Sequence, residues 1–79
     1  MAEQTLGESR VRLDFNPSGS GIVRLFKIRS AESIDELEVM KQLKPGDLVS
    51  PEKARLCSLA QTAYEEAAMW AVKAATYGT

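Results

Sequence analysis

The chain has 79 residues, 44% apolar and 27% charged, with ten basic and eleven acidic side chains for a net charge of −1. That is the length of one domain and the composition of a globular one, without the positive excess of a nucleic-acid coat or a polybasic membrane binder. Histidine is absent and Cys57 is the single cysteine, which excludes a histidine triad, a zinc set and an internal disulfide framework.

Residues 1–9 (MAEQTLGES) are polar and aperiodic and read as a flexible N-terminal tail, leaving one domain over residues 10–79. In residues 10–15 (RVRLDF), Val11, Leu13 and Phe15 alternate with charged neighbours, which predicts a short extended segment. Residues 16–21 (NPSGSG) carry turn and helix-start chemistry. From Ile22 the period becomes helical. Ile22, Phe26, Ile34, Leu37 and Met40 form one stripe, with Ser30 and Ser33 as its weak positions and Val23 widening it. Arg24, Lys27 and Arg29 crowd the start of this first main helix and acids its later part, opposite to what the helix dipole favours. Some role other than helix stability placed those bases there.

Residues 44–47 (KPGD) predict a turn, and Ser50-Pro51-Glu52 a helix start: a capping hydroxyl, a proline at the first helical position and an acid at the positive end. The second main helix should run from Pro51 to about Thr76 and, at ~37 Å, outreach its partner. Its alanines leave a face that one shorter helix cannot cover. With no disulfide or metal set to support so small a core, self-association is expected. The fold expected is all-α, a helical hairpin of two main helices with a short extended N-terminal segment, assembling as a homo-oligomer.

Arg10, Arg12, Arg24, Lys27 and Arg29 stand against one acid, Asp14, between positions 10 and 29. Beside a helix start, which binds phosphate, and Phe15, which can stack on a base, they point to a small phosphorylated ligand with nucleobases. A turn, a buried phenylalanine and a solvated basic face is the alternative. Tyr64 and Trp70 read as core or subunit-interface packing, and Cys57 as a small core residue. Glu65 and Glu66 diverge around the helix, so they form no catalytic pair, and could meet bases of a neighbouring chain.

The run from Arg55 to Ala71, with Glu65-Glu66-Ala67 and Trp70-Ala71 as its most specific part, resembles the C-terminal helix of the phage anti-CBASS cyclic-oligonucleotide sponges. That family shares a helical hairpin with the anti-Thoeris cyclic-ADP-ribose sponges. Residues 10–19, Ile22-Val23, Lys27 and Ser30-Ala31 are similar to the start of its first helix. The resemblance implies a non-enzymatic, cofactor-free protein that assembles as a homo-oligomer, in this family often a hexamer. In the cytoplasm of the infected bacterial host it would sequester cyclic di- or trinucleotides without cleaving them. It places dinucleotide contacts on Phe15, Asn16, Lys27 and Arg55, and trinucleotide contacts on Arg29 and Ser30. Two alternatives remain at this point: a sponge for cyclic ADP-ribose signals, in which RVRLDF would form a true strand, and an adaptor hairpin with no small ligand. The acidic second half of the first helix argues against DNA. No apolar run approaches the length of a membrane span, and no signal-peptide pattern is seen.

Overall fold

Thr5 and Glu8 start the first helix. In the computed structural model, which describes residues 3–42 and 50–78, the Glu8 N–H donates to the Thr5 hydroxyl at 3.1 Å. The Thr5 N–H in turn donates to the Glu8 carboxylate at 2.9 Å. This reciprocal pair satisfies two donors that would otherwise face water, and α1 (Leu6–Val11) follows it. Arg12 ends α1 in the left-handed region, with φ 55° and ψ 56°. The Arg12 N–H reaches the Ser9 carbonyl at 3.2 Å and the Leu13 N–H the Glu8 carbonyl at 3.0 Å, so the last carbonyls of α1 are closed off.

Two expectations are corrected here. Residues 6–9 are helical rather than a loose tail, and residues 10–15 are a helix end and turn rather than an extended segment; no strand occurs among the described residues. Val11 and Leu13 are indeed buried. A helix end followed by a left-handed residue can bury two positions spaced by two, so the alternation alone does not decide. The capping pair upstream does.

In α2 (Gly21–Lys41) the buried line is Val23, Lys27, Ser30, Ala31 and Ile34. The predicted stripe is therefore rotated: Ile22, Phe26 and Met40 are exposed. Val23, Ser30 and Ile34 keep their places on it, whereas hydrophobicity alone assigns Lys27 outward. Lys27 turns inward because carbonyl partners await its ammonium there.

The start of α3 (Pro51–Thr76) is as expected, with the Lys53 N–H donating to the Ser50 hydroxyl at 3.1 Å. Cys57 is buried, as expected of a small core residue. Gln61 joins this end to the far end of α2. Its Nε2 donates to the Ile34 carbonyl at 3.0 Å and to Glu38 Oε1 at 3.1 Å, while its Oε1 accepts from Lys41 Nζ at 3.1 Å. At the other end Val23 and Lys27 face Val72 and Thr76. The helices are thus antiparallel, a hairpin; the predicted turn at residues 44–47 lies outside the described residues.

α1 packs against the hairpin through Gly7, whose N–H donates to Asp35 Oδ1 at 2.7 Å, and through an Arg10–Glu65 ion pair at 2.7 Å. Val11, Leu13, Ala31, Ile34 and Ala68 form the shared core. The Cα atoms span 51 × 29 × 12 Å, a flat, thin shape. So thin a structure leaves much apolar surface open. Leu56, Leu59, Met69 and Trp70 are each roughly half exposed. No helix among the described residues is long and apolar enough to cross a membrane.

Candidate functional site

The turn between α1 and α2 is built largely from its own polar groups. Asn16 Nδ2 donates to the Ser20 carbonyl at 2.9 Å, and the Ser18 hydroxyl donates to Asn16 Oδ1 at 2.8 Å while accepting from the Ser20 N–H at 3.2 Å. Gly19 takes φ 66°, a conformation that costs glycine little. Ser20 caps α2 by accepting from the Val23 N–H at 3.4 Å. The start of α2 therefore has one N–H already occupied by its own cap.

Lys27 ties this turn to α1. Its ammonium donates to the Arg12 carbonyl at 2.9 Å and to the Phe15 carbonyl, and the residue is only 6% exposed. Burial, and secondarily the neighbouring Arg12 charge, holds its pKa below the usual 10.5. Phe15 stays 54% exposed, with the Arg12 guanidinium 4.6 Å and the Lys27 ammonium 5.7 Å from its ring centre. Both distances allow cation–π attraction.

Two grooves meet at this cluster. The larger, ≈ 530 Å³, runs between α1 and the C-terminal half of α3; Arg10, Arg12, Lys27 and Lys73 supply its cations and Val11, Ala68, Met69 and Val72 much of its apolar wall. The smaller, ≈ 310 Å³, is lined by Phe15, Asn16, Val23, Lys27, Val72 and Thr76 among others. Lys27 and Val72 border both. An aromatic face beside cations and an apolar wall can hold a flat ring carrying phosphate.

Of the predicted site residues, Phe15, Asn16 and Lys27 come together here. Arg29, exposed on α2, and Ser30, buried on the same helix, line neither groove. Arg55 is exposed near the start of α3, where its Nε donates to Glu52 Oε2 at 3.1 Å. The 17-residue interval to Val72 puts it ~25 Å along the helix from the cluster.

Several side chains behave differently from expectation. Glu65, predicted to be open to a neighbouring chain, pairs with Arg10 of its own chain. Glu66 accepts from the Trp70 indole N–H at 3.2 Å. Trp70 is 56% exposed and so lies outside the core of the single chain, which leaves only the subunit-interface half of its expected packing. Arg10, Arg12 and Lys73 were missed as groove residues. The excess of bases over acids between positions 10 and 29 was the signal for the first two, but an extended reading scatters their side chains to one face of a strand instead of a groove wall.

A family model for the Acb2/Tad1 hairpin domain matches residues 7–76. No curated protein and no solved structure matches the chain.

Proposed function

The chain belongs to the Acb2/Tad1 hairpin-domain family, and from that premise we propose that it is a phage anti-defence sponge for cyclic di- or trinucleotide immune signals. It acts in the cytoplasm of the infected bacterium, as a homo-oligomer such as a hexamer, and releases its ligand unchanged. The observation that carries this reading is the junction of the two grooves. An exposed aromatic ring, two cations within 6 Å of its centre and an apolar wall meet in one place, the combination needed to stack a base and neutralise a phosphate.

Phe15 offers the stacking face. Asn16 shapes the turn that presents it, and Lys27 anchors the same turn at the border of both grooves. Arg55 comes to the ligand from a second copy, because it stands at the opposite end of α3 from this cluster. Arg29 and Ser30, outside the grooves, would serve a separate trinucleotide contact. Enclosure between copies strengthens charge-assisted bonds by excluding water, so tight binding requires no reacting group.

Residues 10–15 form a helix end and turn rather than a strand, which favours a cyclic oligonucleotide over cyclic ADP-ribose as the ligand. The test is a thermal-shift panel of cyclic di- and trinucleotides and cyclic ADP-ribose isomers. A ligand at 100 times its Kd should stabilise the fold by ~2.7 kcal/mol and be recovered intact after heat denaturation. A shift with cyclic ADP-ribose isomers alone would transfer the assignment to that class, and recovery of a linearised nucleotide would make the protein an enzyme. For the bridging arrangement, Arg55→Ala should weaken binding at least tenfold while exposed Lys53→Ala changes it less than twofold. Equal affinities in oligomeric variants would remove Arg55 from the site.

A further inference from the structure

Four cations line the two grooves, and two of them, Arg10 and Lys27, already have polar partners within the chain. Arg10 is paired with Glu65 at 2.7 Å. Lys27 has given its ammonium to the Arg12 and Phe15 carbonyls. Lys73 stands over the Trp70 ring at 5.7 Å. Arg12 and Lys73 are both exposed with neither an ion pair nor a side-chain hydrogen bond among the described residues, but only Arg12 lies against a ring that lines a groove, its guanidinium 4.6 Å from the centre of Phe15.

The backbone beneath it is also unusual. Arg12 is the one non-glycine residue with positive φ among those described, a conformation that crowds any side chain beginning with a Cβ. Glycine would fit the left-handed closure of α1 better. The side chain is thus kept at a position where the fold gains nothing from having one, except its contact with Phe15.

We propose that Arg12 is the phosphate-binding cation of this site and sets the orientation of the base stacked on Phe15, with Lys27 as a positioning residue that holds both in place. This deepens the cyclic-nucleotide reading and rests on it. A guanidinium held over an aromatic ring without an ion pair keeps N–H groups available, and a guanidinium fork matches two phosphate oxygens at once. An ammonium with two of its three donors on carbonyls has one left at most. Phe15 is the one aromatic lining either groove, so a base stacked there lies beside the Arg12 edge.

The experiment compares wild type with Arg12→Gly, Arg12→Ala, Arg12→Lys and Arg12→Gln. Calorimetry at two salt concentrations uses cyclic di-AMP, cyclic di-GMP and cyclic tri-AMP as probes, alongside ligand-free melting. Arg12→Gly should melt at or above the temperature of Arg12→Ala, because glycine relieves the left-handed strain that alanine keeps. It should nevertheless bind about 10- to 100-fold more weakly than wild type. Arg12→Gln should lose nearly as much with a flatter salt dependence, and Arg12→Lys should recover part of the affinity. A binding loss of about tenfold or more with a flatter salt dependence in Arg12→Gly and Arg12→Gln, while ligand-free melting stays near wild type, is what a merely structural arginine would not produce. Wild-type affinity in Arg12→Gly or Arg12→Gln overturns the assignment of Arg12 while leaving the nucleotide site standing. If wild type binds none of the probes, the nucleotide reading falls and this assignment with it.

Discussion

Replacing Gly7 with alanine sets two effects of opposite sign against each other. Within a helix, alanine is favoured over glycine by up to about 1 kcal/mol, so secondary structure alone predicts a small gain. The packing predicts a loss. A Cβ built on Gly7 would lie 2.0 Å from the Ala31 carbonyl oxygen, 2.7 Å from its carbon and 2.8 Å from its Cα. All three are backbone atoms of α2, so no side-chain rotation relieves the contact. α1 must move away by more than an ångström, which strains the Gly7 N–H bond to Asp35 and loosens the packing of Val11 and Leu13. Overpacking costs about 1–3 kcal/mol and a lost bond to a charged acceptor about 1.5–3 kcal/mol. Set against the propensity gain, the net destabilisation is ~3 kcal/mol. Urea unfolding of Gly7→Ala measures it, with Gly21→Ala as control. Gly21 begins a helix with nothing within 4 Å of its Cβ, so that variant should be neutral or gain up to about 1 kcal/mol. A neutral or stabilised Gly7→Ala would show that α1 does not pack on α2 as described.

Lys27→Met should cost about 2–4 kcal/mol by leaving the Arg12 and Phe15 carbonyls without the ammonium. Between the depressed Lys27 pKa and 10.5 the unfolded chain holds a proton that the folded chain has released, so the advantage of wild type over this variant should rise with pH across that window; a pH-independent difference in urea unfolding would contradict it. The Gln61 amide is the main cause holding the Glu38 pKa below its ordinary 4.5, with Lys41 assisting and burial opposing. That stabilisation is present above 4.5 and lost as pH falls through the lowered value, so Gln61→Met, besides being less stable, should lose less on acidification than wild type; parallel acid-unfolding curves would count against the contact. Trp70 should emit at shorter wavelength in the assembled protein and shift toward the solvated value on dilution, in step with the loss of high-mass species in mass photometry. An emission maximum independent of concentration while the mass changes would place Trp70 outside the subunit contact.

The two main helices were legible because their signals are local and redundant. Ser50, Pro51 and Glu52 mark one start by three separate mechanisms, and the alanines of α3 admit little but helix. α1 was less legible. It is six residues long, too short to show a period, and its strongest mark is the spacing of Thr5 and Glu8 inside an otherwise polar stretch. The seam of α2 was misplaced for a different reason. A hydrophobicity pattern cannot anticipate that Lys27 will find two carbonyls in a turn 12 to 15 residues earlier in the chain. The site was legible to the same degree. Phe15 follows from its place beside the basic turn and Asn16 from the family resemblance, whereas Arg12 becomes a groove residue only once α1 is known to end on it.

Lys27 also explains why the basic start of α2 is compatible with a stable helix. Its charge opposes the dipole at that end, yet its ammonium is directed away from the helix and onto the turn that α2 must carry. The same contact makes fold and site interdependent. The carbonyls that Lys27 binds belong to Arg12 and Phe15, the two residues whose side chains stack at the groove. Closing α1 on the hairpin therefore assembles the stacking face and its cation in one step. A chain this thin has no deep interior in which to build a pocket, so its grooves lie where α1 crosses the hairpin. Such grooves are open on one side, and the exposed Leu56, Leu59, Met69 and Trp70 provide the apolar area by which further copies could close them.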